Sequence, residues 1–211
     1  MANRLETTLS GITLKNPVMP ASGTCGFGYE LARFYDLNIL GAMSLKGTTG
    51  EARFGNPTPR IAECREGLLN AIGLQNPGVD SVISHELKGT RALYGGVLLA
   101  NISGFSVEEY VRVASAFDKS NDIDILEINI SCPNVRHGGM AFGTDPGAAR
   151  EVTQAVKAAT LKPVYMKLSP NVTDITAIAR ACEEGGADGI TLINTLLGMV
   201  IDPRTGRPVV S

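Results

Sequence analysis

Three scarcities narrow the reading of this 211-residue chain before any motif is considered. Cysteine is scarce: Cys25, Cys64, Cys132 and Cys182 stand far apart with no CxxC, which excludes a disulfide scaffold and any iron–sulfur centre built from clustered thiolates. Charge of one sign is missing as well, since 19 Lys and Arg face 21 Asp and Glu for a formal charge of -2. Such a surface offers no electrostatic footprint for nucleic acid or an anionic membrane. Long hydrophobic runs are absent, none approaching the roughly 20 residues that cross a bilayer, and Met1 to Ser10 holds no apolar signal-peptide core. A cytoplasmic protein is expected. What is abundant is core material, 44% hydrophobic against 19% charged residues, which predicts one compact domain over residues 1–211.

Short apolar runs recur, each closing on a polar residue and a turn signal: Val18 to Ser22, Ala42 to Lys46, Val97 to Ile102, Ile125 to Ile130, Val164 to Leu168 and Gly189 to Thr195. Their Val, Ile and Leu content suits strands buried on both faces. Helical periodicity follows in Tyr29 to Leu37, Ser106 to Asp118, Pro146 to Ala159 and Thr173 to Glu184, with Ser106 and Asp145 as N-caps and Gly185 and Gly186 as a stop. Ahead of the first run, Leu5 to Thr8 and Gly11 to Leu14 form a hairpin able to plug the end of a barrel. The alternation predicts an α/β fold, a doubly wound sheet or a (β/α)8 TIM barrel that stops after about six βα units, because a barrel takes about 250 residues. Long inserts at Gly47 to Gly96 and Ser131 to Asp145 follow strand ends, and Leu196 to Ser211 reads as an exposed loop around an Asp202 to Gly206 turn.

Strands of one direction bring Ser22, Lys46, Asn101, Asn129, Lys167, Asn194 and Thr195 to one rim, where such folds gather their chemistry. Asn70, Asn101, Asn129, Asn134 and Asn194 add carboxamides, whose paired donor and acceptor match the edge of a flat amide ring. Cys132 follows a strand in Ile130-Ser-Cys-Pro-Asn134, and a thiol there needs modest help from lysine charge to act as a base. Glu127 shares side-chain parity with Asn129 and is expected to be buried and paired with Lys167 or Lys46. His85 and His137 lack metal-ligand spacing, so no metal is assigned. Gly23-Thr-Cys-Gly-Phe-Gly28 reads G-x-x-G-x-G, which departs from the dinucleotide fingerprint.

Taken in order, Pro20-Ala-Ser-Gly23, Gly55-Asn-Pro-Thr-Pro-Arg60, Asn70 to Gly78, Asn129-Ile-Ser-Cys-Pro-Asn134, Gly138 to Gly143, Lys167-Leu-Ser-Pro-Asn171 and Ile193 to Gly198 resemble the class 1 dihydroorotate dehydrogenases. The segments Asn70 to Gly78 and Gly138 to Gly143 favour the NAD-linked 1B catalytic subunit, and Cys132 separates the chain from the membrane-associated class, which uses serine. The resemblance implies a TIM barrel that holds FMN at its C-terminal mouth and oxidises dihydroorotate to orotate in pyrimidine synthesis. By position it implies FMN contacts at Ser22, Lys46, Gly47, Asn101, Asn129, Lys167 and Ile193. Pyrimidine contacts fall at Lys46, Asn70, Ala71, Ile72, Gly73, Leu74, Asn129, Asn194 and Thr195. Cys132 becomes the base that takes the C5 proton while a hydride leaves C6 for the flavin, under a closing loop from Cys132 to Gly143. The subgroup pairs a homodimer of this subunit with a second subunit carrying FAD and a 2Fe–2S cluster. Relatives continue through two further strands whose loops hold the FMN phosphate, so a molecule ending at Ser211 is expected to bind FMN weakly. The reading of another class is a non-catalytic barrel fragment or binding module that keeps the pyrimidine pocket.

Overall fold

A chain that alternates buried β runs with amphipathic helices can satisfy both only by wrapping helices around a parallel sheet. The computed structural model describes residues 4–65, 67–131 and 142–210. It opens with a hairpin of β1 (Thr7–Leu9) and β2 (Ile12–Leu14), turned one residue later than expected through Ser10 and Gly11. Both turn residues have positive φ, 47° and 82°, as a two-residue hairpin turn demands. There follow β3 (Ala42–Ser44), β4 (Ile61–Cys64), β5 (Gly67–Asn70), α1 (Val79–Ser81), α2 (Leu87–Leu93) and β6 (Val97–Ser103). The chain continues through α3 (Val107–Asp118), β7 (Ile125–Asn129), α4 (Pro146–Lys157), β8 (Val164–Lys167), α5 (Ile175–Glu184), β9 (Gly189–Thr191), β10 (Ile201–Asp202) and β11 (Arg207–Pro208).

The central sheet is parallel throughout, in the order β3-β6-β7-β8-β9, and curls into half a barrel. It has five strands where the sequence reading expects six. Val18 to Ser22 runs beside β3, with the Val18 carbonyl accepting from Gly41 N at 2.9 Å, but forms no strand. Pro17 and Pro20 remove two of the donors a ladder would use. Tyr29 to Leu37 likewise makes no α-helix. It breaks into 3-10 turns at Leu31–Arg33 and Leu37–Ile39, because Asp36 is extended and caps the second turn by accepting from Asn38 N. Two helices begin where their caps predict, with Ser106 Oγ accepting from Glu109 N and Asp145 from Ala148 N, while α5 starts two residues later than expected, behind Asp174, which accepts from Thr176 N. Gly185 closes α5. The insert between β3 and β6 is not a bare loop, since it folds into the β4–β5 hairpin and a helical stretch from α1 to α2 through a π-turn at Val82–Glu86. The turn expected near Asp202 to Gly206 joins β10 to β11.

Period-two alternation divides the sheet's side chains between two environments. Met43, Leu98, Ala100, Ile102, Leu126, Ile128, Val164 and Met166 point outward and merge with Tyr110, Val113, Phe117, Val152, Val156 and Ile178 of the helices in one core. The Tyr110 and Phe142 rings meet edge to face at 5.4 Å within it. The alternate residues point inward. Ala42, Leu99 and Ile125 form an apolar floor, packed by Leu14, Leu9 and Ile12 of the hairpin and by Tyr165. Ser10 Oγ lies 3.0 Å from Tyr165 OH, so the hairpin is tied beneath the sheet as a plug. A Cβ at Gly189 would fall 2.2 Å from the Tyr165 ring, which is why β9 opens with glycine. Among the described residues no helix is long and apolar enough to cross a membrane.

Candidate active site

Above the apolar floor the inward positions turn polar. Ser44, Asn101, Ser103, Glu127 and Lys167 are all buried, and Lys46 and Asn129 stand half-buried at the strand ends. Their levels are set by register: Asn101 is paired with Glu127, and Ser103, Asn129, Lys167 and Thr191 lie side by side. A cleft of about 660 Å³ opens over this polar tier, within the range of pockets that engulf a cofactor-sized ligand. It is lined by Ser22, Lys46, Gly47, Asn70, Ile72, Leu74, Asn101, Asn194 and Thr195 from the expected set, together with Gly23, Thr24, Ile61 and Leu68. The last two come from the β4–β5 hairpin, whose role as a wall the sequence did not signal.

Each wall has its own fastening. Ser22 Oγ donates to the Leu45 carbonyl at 2.6 Å, holding the loop after Pro20 against β3. Asn129 Nδ2 donates to Ser103 Oγ at 3.1 Å, while its Oδ1 accepts from Asn194 Nδ2 at 2.8 Å and from Ser131 N at 3.1 Å. Asn194 N donates in turn to the Leu168 carbonyl, so residues beyond β9 are drawn over the mouth. β9 itself ends at Thr191, which places Asn194 and Thr195 in a loop and not at a strand end. Ile193 follows a cis Leu192–Ile193 peptide bond and is largely exposed, outside the cleft lining. Ala71 and Gly73 support the loop from behind: Ala71 N donates to the Arg60 carbonyl, and a Cβ at Gly73 would lie 2.7 Å from Asn56. Leu74 has a φ of 58°, a left-handed conformation costly for a branched side chain. It is held by Asn76, whose Nδ2 donates to the Leu74 carbonyl at 2.9 Å. Asn76 is a buried hub that sequence reasoning passed over, because nothing in its spacing distinguishes it from a turn asparagine.

The electrostatics differ from expectation at one point. Glu127 is buried, 2% exposed, but its partners are neutral: Oε1 accepts from Ser44 Oγ at 2.9 Å and from Asn101 Nδ2 at 2.7 Å. No ion pair joins it to Lys167 or Lys46, since the register sets Lys167 beside Asn129, one level higher, and Glu127 beside Tyr165. Lys167, 6% exposed, has no hydrogen-bond or ion-pair partner for Nζ among the described residues. Burial pushes the Lys46 ammonium below its ordinary pKa, and the nearby Arg60 guanidinium adds to the effect. Asn101 Oδ1, on a residue 2% exposed, meets no donor among the described residues. Polar atoms that lack protein partners and open onto a cleft are the mark of a site that a ligand completes. An anionic or carbonyl-rich planar ring fits these donors and acceptors, and the bare Cα of Gly47 leaves it room, because a Cβ there would lie 2.8 Å from Asn101 Oδ1. Cys132, Asn134 and His137, with the loop through residue 141, lie outside the described residues. His85 is exposed on the helical stretch, as expected.

Comparison with known proteins agrees with this architecture. The family model described as Dihydroorotate dehydrogenase matches residues 4–211. The chain is 56% identical over 211 residues to the dihydroorotate dehydrogenase B (NAD(+)) catalytic subunit of Fusobacterium nucleatum, covering 100% of this chain and 69% of that one. It is 59% identical over 209 residues to the subunit of the same name from Anoxybacillus flavithermus, covering 99% and 67%, and 58% identical to that of Geobacillus kaustophilus, covering 99% and 66%. The chain thus spans about two thirds of the length of the curated relatives it matches. Among solved structures, DHODH from Eimeria tenella in complex with ferulenol superposes with a TM-score of 0.74 at 22% identity, over 97% of this chain and 62% of that one, a likeness of fold. With its half-barrel of parallel strands and its polar mouth, the chain belongs to the dihydroorotate dehydrogenase family.

Proposed function

We propose that the cleft takes FMN and dihydroorotate and that the chain carries the catalytic part of an NAD-linked dihydroorotate dehydrogenase of pyrimidine synthesis. The observation that carries the reading is the polar tier with its unpartnered Asn101 Oδ1 and Lys167 Nζ, on a chain that matches subunits of that name over its whole length. Bound FMN supplies the hydride acceptor. Ser22, Lys46, Gly47, Asn101, Asn129, Lys167 and Ile193 are assigned to it, and Lys46, Asn70 to Leu74, Asn129, Asn194 and Thr195 to the pyrimidine.

The chain's own groups then have distinct tasks. Lys167 offers positive charge that no carboxylate among the described residues neutralises, suited to a ring that gains negative charge on reduction. The Asn129–Asn194 amide pair and Thr195 present donors and acceptors to an amide heterocycle, and fix its orientation through hydrogen bonds already braced by Ser103 and Leu168. Cys132 is assigned as the base for the C5 proton. The hydrogen bond from Ser131 N to Asn129 Oδ1 sets the direction in which the chain leaves β7 just before it. Lys167, paired with Asn129 at the end of β7, offers the positive charge that a thiolate base following that strand needs. The relatives are named as catalytic subunits, which implies a separate partner; for this chain we assign the FAD and 2Fe–2S electron-transfer subunit, a homodimeric core and a cytoplasmic setting.

The test is a reconstitution: apoprotein, FMN, dihydroorotate and an artificial electron acceptor, followed by the absorbance of orotate. Turnover that Cys132→Ala abolishes while FMN binding persists supports the proposal. Failure of the wild type to bind FMN refutes it, and binding without turnover identifies a module that only holds the ring.

A further inference from the structure

Glu127 has no task in the chemistry above, yet through its buried neighbour Asn101 it decides what the cleft offers a ligand. Both residues are 2% exposed, and their Cα atoms are partners across β6 and β7. Asn101 Nδ2 donates to Glu127 Oε1 at 2.7 Å, and Ser44 Oγ reaches the same oxygen at 2.9 Å from β3. A carboxylate accepts and cannot donate, so it forces the amide nitrogen of Asn101 downward and its carbonyl oxygen toward the mouth. That oxygen sits where a Gly47 Cβ would be 2.8 Å away, on a residue that lines the cleft, and has no donor among the described residues. The cleft therefore presents a fixed acceptor at this point. Without Glu127 the carboxamide could rotate and present a donor with equal ease.

We infer that Glu127 is a positioning residue that locks Asn101 as an acceptor for a ring N–H. The inference rests on the assignment of FMN to this cleft. Oxidised flavin carries one ring N–H, at N3, so N3–H is the group that a locked Asn101 Oδ1 selects. Glu127 touches no ligand itself. It acts through Asn101, and its own geometry is held by Ser44 on the neighbouring strand.

The experiment compares FMN with 3-methyl-FMN, in which the N3 proton is replaced, by fluorescence titration of the full-length apoprotein. Wild type is expected to prefer FMN by about tenfold, the worth of one well-made hydrogen bond to a buried acceptor. Glu127→Ala should bring the preference close to one. Glu127→Gln, which can donate as well as accept, no longer dictates the orientation of Asn101 and should weaken it. The double variant Asn101→Asp with Glu127→Gln reverses the internal hydrogen bond yet keeps an oxygen toward the mouth, so it should restore the preference, whereas Asn101→Asp alone sets two carboxylates together and should lose it. A preference unchanged in Glu127→Ala, or lower in the double variant than in Glu127→Gln, overturns the inference. If Glu127→Ala does not fold, the near-isosteric Glu127→Gln, Asn101→Asp and double variants decide the matter. Absence of FMN binding by wild type overturns the functional reading instead, and so the two failures are distinct.

Discussion

Removing the side chain of Asn76 should uncouple the insert that walls the cleft from the sheet that floors it. Asn76 is 5% exposed, and its Oδ1 accepts from two buried backbone donors, Thr49 N at 3.1 Å and Gly78 N at 2.9 Å. Its Nδ2 donates to the Leu74 carbonyl and to Thr49 Oγ1, both at 2.9 Å. The Thr49 hydroxyl proton is already committed to the Glu51 carbonyl at 2.6 Å, so the hydroxyl receives from Asn76 and cannot reverse the bond without loss. In Asn76→Ala two buried N–H groups lose their acceptor at about 1–3 kcal/mol each, which with partial relaxation amounts to about 2–4 kcal/mol. Asn76→Asp keeps the acceptor half but points an oxygen at two other oxygens, and should cost about 1–3 kcal/mol. Urea denaturation of the apoprotein followed by circular dichroism measures both through the shift of the midpoint at constant slope. Leu74 is also released from its left-handed backbone, so FMN affinity should fall in step with stability. A midpoint for Asn76→Ala within about 0.5 kcal/mol of wild type would show that the hub is not what holds the wall.

Gly47→Ala places a methyl group 2.8 Å from an Asn101 oxygen that cannot yield, and is expected both to lower the melting temperature, by overpacking worth about 1–3 kcal/mol, and to weaken FMN binding by about tenfold or more. Titration alongside a thermal melt checks this, and unchanged affinity contradicts the assigned cleft. Lys167→Met removes an ammonium that has no partner among the described residues and should leave the stability of the apoprotein within about 1 kcal/mol of wild type while weakening its hold on reduced flavin, a difference measured by denaturation and by the flavin's reduction potential. Lys46 has a folded-state pKa below its ordinary value. The folded protein therefore gives up this proton before the unfolded chain does, and stability should rise with pH between the lowered pKa and the ordinary value of 10.5. Lys46→Met should remove that rise from the difference between their stability–pH profiles, and a slope of opposite sign would contradict the burial argument.

Most of the sheet was legible because β6, β7 and β8 carry mainly apolar runs that close on polar residues, and the helix starts were legible because Ser106 and Asp145 are local signals. The failures lie where tertiary context overrides local pattern. Val18 to Ser22 has the composition of a strand but two prolines in or beside it, and Tyr29 to Leu37 has helical spacing interrupted by the extended backbone of Asp36. In the site, parity alone placed Glu127 and Asn129 on one face. Which partner Glu127 meets depended on the stagger between neighbouring strands, information that no single strand contains. Asn76 and the β4–β5 wall were illegible because their roles arise from contacts between segments far apart in the chain.

The division of the sheet into outward hydrocarbon and inward tiers of floor and polar groups has a consequence for how the chain finds its alignment. If β7 slid by one residue, Glu127 would be thrust among the leucines and valines under the helices and Ile128 would occupy the mouth. The reactive groups thus serve as proof-readers of strand pairing: an error of a single step buries a carboxyl group in oil, and the misaligned molecule unravels before it can persist.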